Sequence, residues 1–206
     1  MENGEEGRSQ IKYMSIMIMA IYSFAAVGIC LFCKEIVVIM SEQSYVDAWK
    51  MVPFFVAAQL IAFIYYSHVQ ALMYNVKMSK FTVFCSSSGL VVNIVVSILL
   101  VKIFDIYGIL IASLLSKSVM ATLTVIVSRK AEEVDFGLKK MILYIIIASA
   151  LIGLGMLVSL QNVGLNLFEI LLKLLILALA AMIFIFPYRK DFLCLILGLL
   201  KRKPKR

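Results

Sequence analysis

The sequence predicts an all-α, polytopic membrane protein: a bundle of six spanning helices followed by a C-terminal amphipathic helix. Three observations predict it. The chain is 63% hydrophobic with a mean hydropathy of +1.02, beyond what a water-soluble domain carries. Its apolar residues fall into runs long enough to cross a bilayer core as helices. Its formal charge of +8 lies mostly in the loops and the C-terminal tail, outside those runs, as membrane topology requires, and no soluble basic domain is left to hold a nucleic acid.

Residues 1–12 are polar and are expected outside the membrane on the cytoplasmic side. The acidic start lacks the short basic region of a cleavable signal peptide. The first span covers 13–33. Residues 34–47 are expected to form a loop with a short interfacial helix, because the apolar run at 36–40 is too short to cross. The second span covers 49–74, with Trp49 and Tyr74 at interfacial depth. Pro53 falls in its first turns, where a missing N–H is tolerated. The third span covers 81–101, and Gly108 signals a turn before the fourth span at 109–127. A charged loop leads to the fifth span at 141–160, and a short uncharged turn to the sixth at 167–186, which Pro187 stops. Together, residues 13–187 make the bundle. Residues 188–206 form a basic tail, read as an amphipathic helix on the membrane whose Lys201, Arg202, Lys203, Lys205 and Arg206 meet anionic headgroups. A disordered end fits the final six residues equally well.

Lys and Arg on alternate sides of the six spans number 15 and 3. The richer side holds both termini, which the positive-inside rule places in the cytoplasm. Cys30, Cys33, Cys85 and Cys194 lie in apolar surroundings. They read as small buried hydrophobes, including the C-x-x-C pair, which has no His beside it to complete a metal set. No cofactor is indicated.

The fourth span carries one charge, Lys117, near its middle. It lies about 12 and 15 Å from the two ends of that span. An ammonium facing hydrocarbon there would cost ~2.5–3.5 kcal/mol, so Lys117 is expected to turn towards protein or water. Ser113, Thr124 and Ser128 share its face. The second span has a stripe of Gln59, Phe63, Tyr66, Gln70 and Tyr74, and the third has Ser86, Gly89, Asn93 and Ser97. Three such stripes can line a hydrated cavity for a polar substrate; small and polar residues also let membrane helices pack closely. The third-span stripe is read as packing, and Lys117 as a cavity residue suited to a phosphate or diphosphate. Lys173 is expected to snorkel to the outer surface and to pair with Glu169 four residues earlier. His68 is the single histidine. It is kept as a cavity candidate, although a hydrogen-bonded structural role is the plainer reading. No acid–base pair marks the chain as an enzyme, and no phosphate-binding G-x-x-x-x-G-K-[ST] loop is present.

Two segments resemble a known family. KEIVVIMSEQSYVDAWKMVPFFVAAQLI resembles the polysaccharide flippase segment in which a loop ending Tyr-x-x-Ala, here Tyr45 and Ala48, enters a span. LVVNIVVSILLVKIFDIYGILIASLL resembles the following pair, with Asn93 and Gly108 in the family's asparagine and turn-glycine places. Ile111 departs from the small residue often found after that glycine. These are the O-antigen and capsule type of lipid-linked oligosaccharide flippases, within the multidrug/oligosaccharidyl-lipid/polysaccharide exporter superfamily. The resemblance covers nearly all of this chain but only the C-terminal of the family's two pseudo-symmetric lobes. That leaves open an internal start at Met1 in an interrupted gene.

The resemblance implies translocation of an undecaprenyl-diphosphate-linked oligosaccharide across the bacterial plasma membrane by alternating access. The partners it implies are that lipid-linked substrate, membrane lipids, and the missing N-terminal lobe or a second copy. The substrate-site candidates are Lys117, Ser113, Thr124, Asn93, Gln59, Tyr66, Gln70 and His68. A non-transporting remnant or scaffold of a polysaccharide assembly complex is a second reading. A cation-coupled multidrug exporter of the same superfamily is a third, weakened by the lack of a mid-span carboxylate.

Overall fold

The computed structural model describes residues 3–74, 78–131, 135–161 and 167–189. The expected amphipathic C-terminal helix and its basic cluster lie outside the described residues. Those described are helical or in short turns, without a strand among them. Six helices are long and apolar enough to cross a membrane: α1 (Asn3–Met40), α2 (Val52–Tyr74), α3 (Lys80–Phe104), α4 (Ile106–Ala131), α5 (Leu138–Gln161) and α6 (Leu167–Phe184).

The helices form two groups. α4 lies between α3 and α2, while α1 packs on α5 and α6. α2 joins them through contacts to α1 and α5. The larger apolar core is built around Met19, Val27, Leu31, Leu60, Met141, Ala148 and Phe184. A smaller one sets Ile64, Tyr65 and Val69 of α2 against Cys85 of α3 and Met120 and Ala121 of α4.

Four local features depart from the sequence expectation or refine it. First, the segment expected as a loop from residue 34 is helical to Met40, and a short 3-10 helix (Gln43–Lys50) then leads into α2. Its Trp49 is buried. The apolar run 36–40 prolongs the helix past the membrane boundary rather than lying as a separate piece.

Second, the turn between α3 and α4 is made by one residue, Asp105, at φ +51°. Gly108 already lies inside α4. It is glycine for closeness of approach: a β-carbon there would sit 2.5 Å from the carbonyl carbon and oxygen of Leu100 on α3.

Third, α5 starts after Gly137, whose φ of +74° suits glycine. The Asp135 carboxylate accepts the Gly137 N–H at 2.8 Å, and a β-carbon on Gly137 would strike Ile16.

Fourth, α6 ends at Phe184, and Pro187 lies in the short 3-10 helix (Phe186–Tyr188) that follows. Tyr188 is buried there, with its hydroxyl 3.0 Å from that of Tyr144 and its ring edge-on to Tyr13. Burial, with the Tyr144 hydroxyl, holds the Tyr188 phenol protonated well above its ordinary range.

Polar clamps hold α1 at both ends. Lys12 pairs with Asp135 at 2.5 Å. Twenty-two residues later in the chain, Lys34 donates to the carbonyl of Ser159 at the end of α5 (3.0 Å). The two lysines are about 33 Å apart along the helix, close to the ~30 Å thickness of a bilayer core. The Lys12 end also carries the α4–α5 connection, and the Lys34 end carries the starts of α2 and α6. This alternation is what six spans require.

The Lys12 hydrogen bond, followed by the Gly137 N–H, holds the Asp135 carboxyl below its ordinary value of 3.8. A lowered acid stabilises the fold above its unfolded value, and that contribution disappears as pH falls through the folded value. The Asp135 side chain is 67% exposed, so solvent screening limits the pair to about 0.2–1 kcal/mol. Asp135→Asn should therefore lower stability slightly at pH 7, with the difference from the unmodified chain shrinking as the pH falls past the ordinary carboxylate value, as thermal unfolding in detergent across a pH series would show.

Candidate functional site

Charge placement within the bundle differs from the sequence expectation at one lysine. Lys173 does not snorkel. It lies two turns into α6 with its side chain fully buried. Its ammonium donates to Glu35 of α1 and pairs with Glu169 at 2.8 Å. The expected Glu169–Lys173 pair is present, but it points inward. Lys34 joins at 3.5 Å from Glu169, and its ammonium also lies 5.9 Å from the centre of the Trp49 ring.

Two lysines and two glutamates thus make a quartet, buried at Glu169 and Lys173 and part-buried at Lys34 and Glu35, that ties α1 to α5 and α6. Pairing is what makes the burial tolerable, because an uncompensated ion there would cost several kcal/mol. Among the described residues the second oxygen of Glu35 has no hydrogen-bond donor, and Glu169 Oε1 lies beside two ammonium groups without good hydrogen-bond geometry. In the sequence Glu35 and Lys34 read as the start of a loop, and Glu35 is 138 positions from Lys173. The available signal is a charge balance: an apolar helix carrying a lysine on its second turn needs acids at the same membrane boundary.

Lys117 is half-buried on α4 and, among the described residues, makes no ion pair or hydrogen bond. The hydroxyls near it bond within their own helix. Thr124 donates to Met120 O at 2.8 Å, Ser128 to Val125 O at 3.1 Å, and Ser116 to the carbonyl of half-buried Ser113 at 3.0 Å. Such bonding back to the preceding turn leaves these hydroxyls little need of a partner from another helix. Lys117 is the one charged group on the stripe, and its hydrogen-bonding demand is not met among the described residues.

The third-span stripe packs against neighbours. A β-carbon on Gly89 would meet Met120 of α4 at 3.1 Å. Ser86 lies 2.7 Å from the Tyr65 hydroxyl of α2, and Ser97 donates to Asn93 Oδ1 at 3.1 Å.

The second-span stripe faces outward. Gln59, Tyr66 and Gln70 are all exposed. Gln59 lines an open groove of about 230 Å³ with Tyr22 and Phe55, and Tyr22 stacks on Phe63 at 5.4 Å between ring centres.

His68 is turned away from that stripe, about 200° round the helix from Tyr66. It is buried, with Nδ1 2.8 Å from Ile64 O and its ring 4.7 Å from that of Phe136. It does not share a site with Gln59, Tyr66 and Gln70. Cys30 and Cys33 are buried free thiols, and the Cys33 thiol donates to Cys30 O at 3.0 Å.

Fold and site together define a multi-pass helical membrane protein with a fourth-span lysine unpaired among the described residues, an outward polar face on its second span, and an ion quartet near the Lys34 end of α1. No family model, curated protein or solved structure matches the chain.

Proposed function

We propose that this chain is one six-helix lobe of a lipid-linked oligosaccharide flippase of bacterial polysaccharide assembly, with both termini in the cytoplasm. Its substrate is an undecaprenyl-diphosphate-linked oligosaccharide, moved between leaflets by alternating access against a second lobe. That lobe comes from another polypeptide or a second copy.

The single observation that carries the reading is Lys117. A half-buried ammonium at the middle of a bilayer-length helix, with no partner among the described residues, calls for an anion or water in a cavity that this lobe does not close alone. The outward Gln59–Tyr66–Gln70 face supplies a second polar wall. Lys117 attracts the diphosphate, while the lipid tail stays in the bilayer.

The cation-coupled exporter gains one point from the quartet, since Glu35 and Glu169 put two carboxylates inside the bundle. Both are already matched by Lys34 and Lys173, so they leave no net negative site for a coupling cation, and the flippase reading is preferred.

Complementation of a flippase-null strain tests the proposal, with the chain expressed alone and beside its upstream neighbour. Lys117→Ala should insert normally and reduce export about tenfold or more, the equivalent of losing one charged contact of about 1.5–3 kcal/mol. Wild-type export in that variant would remove Lys117 from the mechanism. Failure of every combination to restore export would favour a non-transporting scaffold.

A further inference from the structure

On the opposite side of α2 from its polar stripe, α4 and α5 stand apart and leave an open groove of about 360 Å³. Ile61 and Ile64 of α2 form its floor, Val125 and Ile126 of α4 one wall, and Ile142 and Ile146 of α5 the other. Its two hydroxyls, Ser118 and Thr122, donate to Leu114 O and Ser118 O within α4, each at 2.8 Å. The groove therefore suits a hydrocarbon chain and offers little to a sugar.

Its position adds charge. On α5 the lining runs from Leu138, the first residue of the helix, to Ile146, a depth of about 12 Å. On α4 the lining stripe Thr122–Val125–Ile126 continues at the next turn to Arg129. Lys139 follows Leu138 at the other wall. Arg129 and Lys139 are both exposed, at the membrane boundary marked by the Lys12–Asp135 pair. Lys12 offsets Asp135, the acid of that connection within the described residues. The cross-section is an apolar trough at acyl depth, capped by two cations at headgroup depth.

We propose that this groove binds one acyl chain of an anionic phospholipid from the leaflet on the α4–α5 side, with Arg129 and Lys139 holding the phosphate. The site requires that the helices cross a membrane and does not depend on the flippase reading.

Native mass spectrometry of the full chain tests it, after exchange of bound lipid for phosphatidylglycerol or for phosphatidylcholine with the same acyl chains. One phosphatidylglycerol should be retained in preference to phosphatidylcholine. Arg129→Gln and Lys139→Gln should each reduce that preference roughly fivefold, with a smaller effect on retention of the zwitterionic lipid, whose choline offsets its phosphate. Thr122→Trp, which adds bulk from an exposed wall, should lower retention of both lipids. Ile146→Trp, from a position 60% exposed, repeats the blocking test should the first variant fold poorly. Equal retention of the two lipids by the unmodified chain would overturn the proposal. So would a preference indifferent to both charge removals, or lipid-free dimers cross-linked through the groove, which would assign it to a second copy.

Discussion

Lys173→Met should lower the stability of the folded bundle by about 3–5 kcal/mol, the range for breaking a buried ion pair from one side. The methionine fills similar space, so the loss is electrostatic. It leaves Glu169 buried and Glu35 largely so, with Lys34 as the counter-charge among the described residues, 3.5 Å from Glu169. The signature that separates this from ordinary core damage is rescue. Adding Glu35→Gln to Lys173→Met removes the orphaned charge and restores a one-to-one balance between Lys34 and Glu169. The double variant should be more stable than the Lys173→Met single, with a coupling between the two sites of about 0.5–3 kcal/mol. Equilibrium unfolding in mixed detergent micelles measures all four chains of the cycle. A Lys173→Met protein that unfolds with wild-type stability would mean that the quartet does not anchor the interior.

Gly108→Val is expected to be the most damaging of the glycine substitutions, with a loss above the usual overpacking range of about 1–3 kcal/mol. Its β-carbon meets backbone at 2.5 Å on the opposing helix. Backbone cannot swing aside as a side-chain tip does, so α3 and α4 must separate where a one-residue turn holds them closest. The glycines provide an internal scale. Gly89→Ala meets the Met120 Cβ at 3.1 Å, a contact that needs α3 and α4 to give by only a few tenths of an ångström. Gly153→Ala meets nothing within 4 Å, and should be neutral or gain up to about 1 kcal/mol from helix propensity. Thermal unfolding should rank Gly108→Val well below Gly89→Ala, and Gly89→Ala below Gly153→Ala. Any other order would show that the α3–α4 contact does not limit packing.

Hydropathy located all six long apolar helices to within a few residues at most ends, because the need for unbroken backbone hydrogen bonding in hydrocarbon ties such helices to length and apolarity. Where the reading stopped short, distance in sequence was the reason. Lys34 and Glu35 look like an exit from the membrane because charge normally marks one, and their partners come from α6. Lys173 looks able to snorkel on its own helix, since only the position of α1 shows that its ammonium is enclosed. Lys117 stands out locally and is half-buried, without a partner among the described residues. The α4 stripe through Thr124 and Ser128 is periodic in sequence, yet its hydroxyls bond to their own helix, which periodicity cannot distinguish from a cavity lining. Gly108 reads as a turn residue, whereas the turn belongs to Asp105; a glycine required by a neighbour's approach looks in sequence like one required by its own φ.

The two clamps on α1 have a consequence for the lipid that surrounds the protein. A helix fastened to its neighbours at two levels cannot freely tilt to absorb hydrophobic mismatch, so the bundle carries a built-in preferred bilayer thickness. Bilayers of shorter or longer lipids must then thin or swell around it, at a fraction of a kcal/mol per Å. Cutting the Lys12–Asp135 fastening should broaden the range of lipid lengths in which the protein is equally stable.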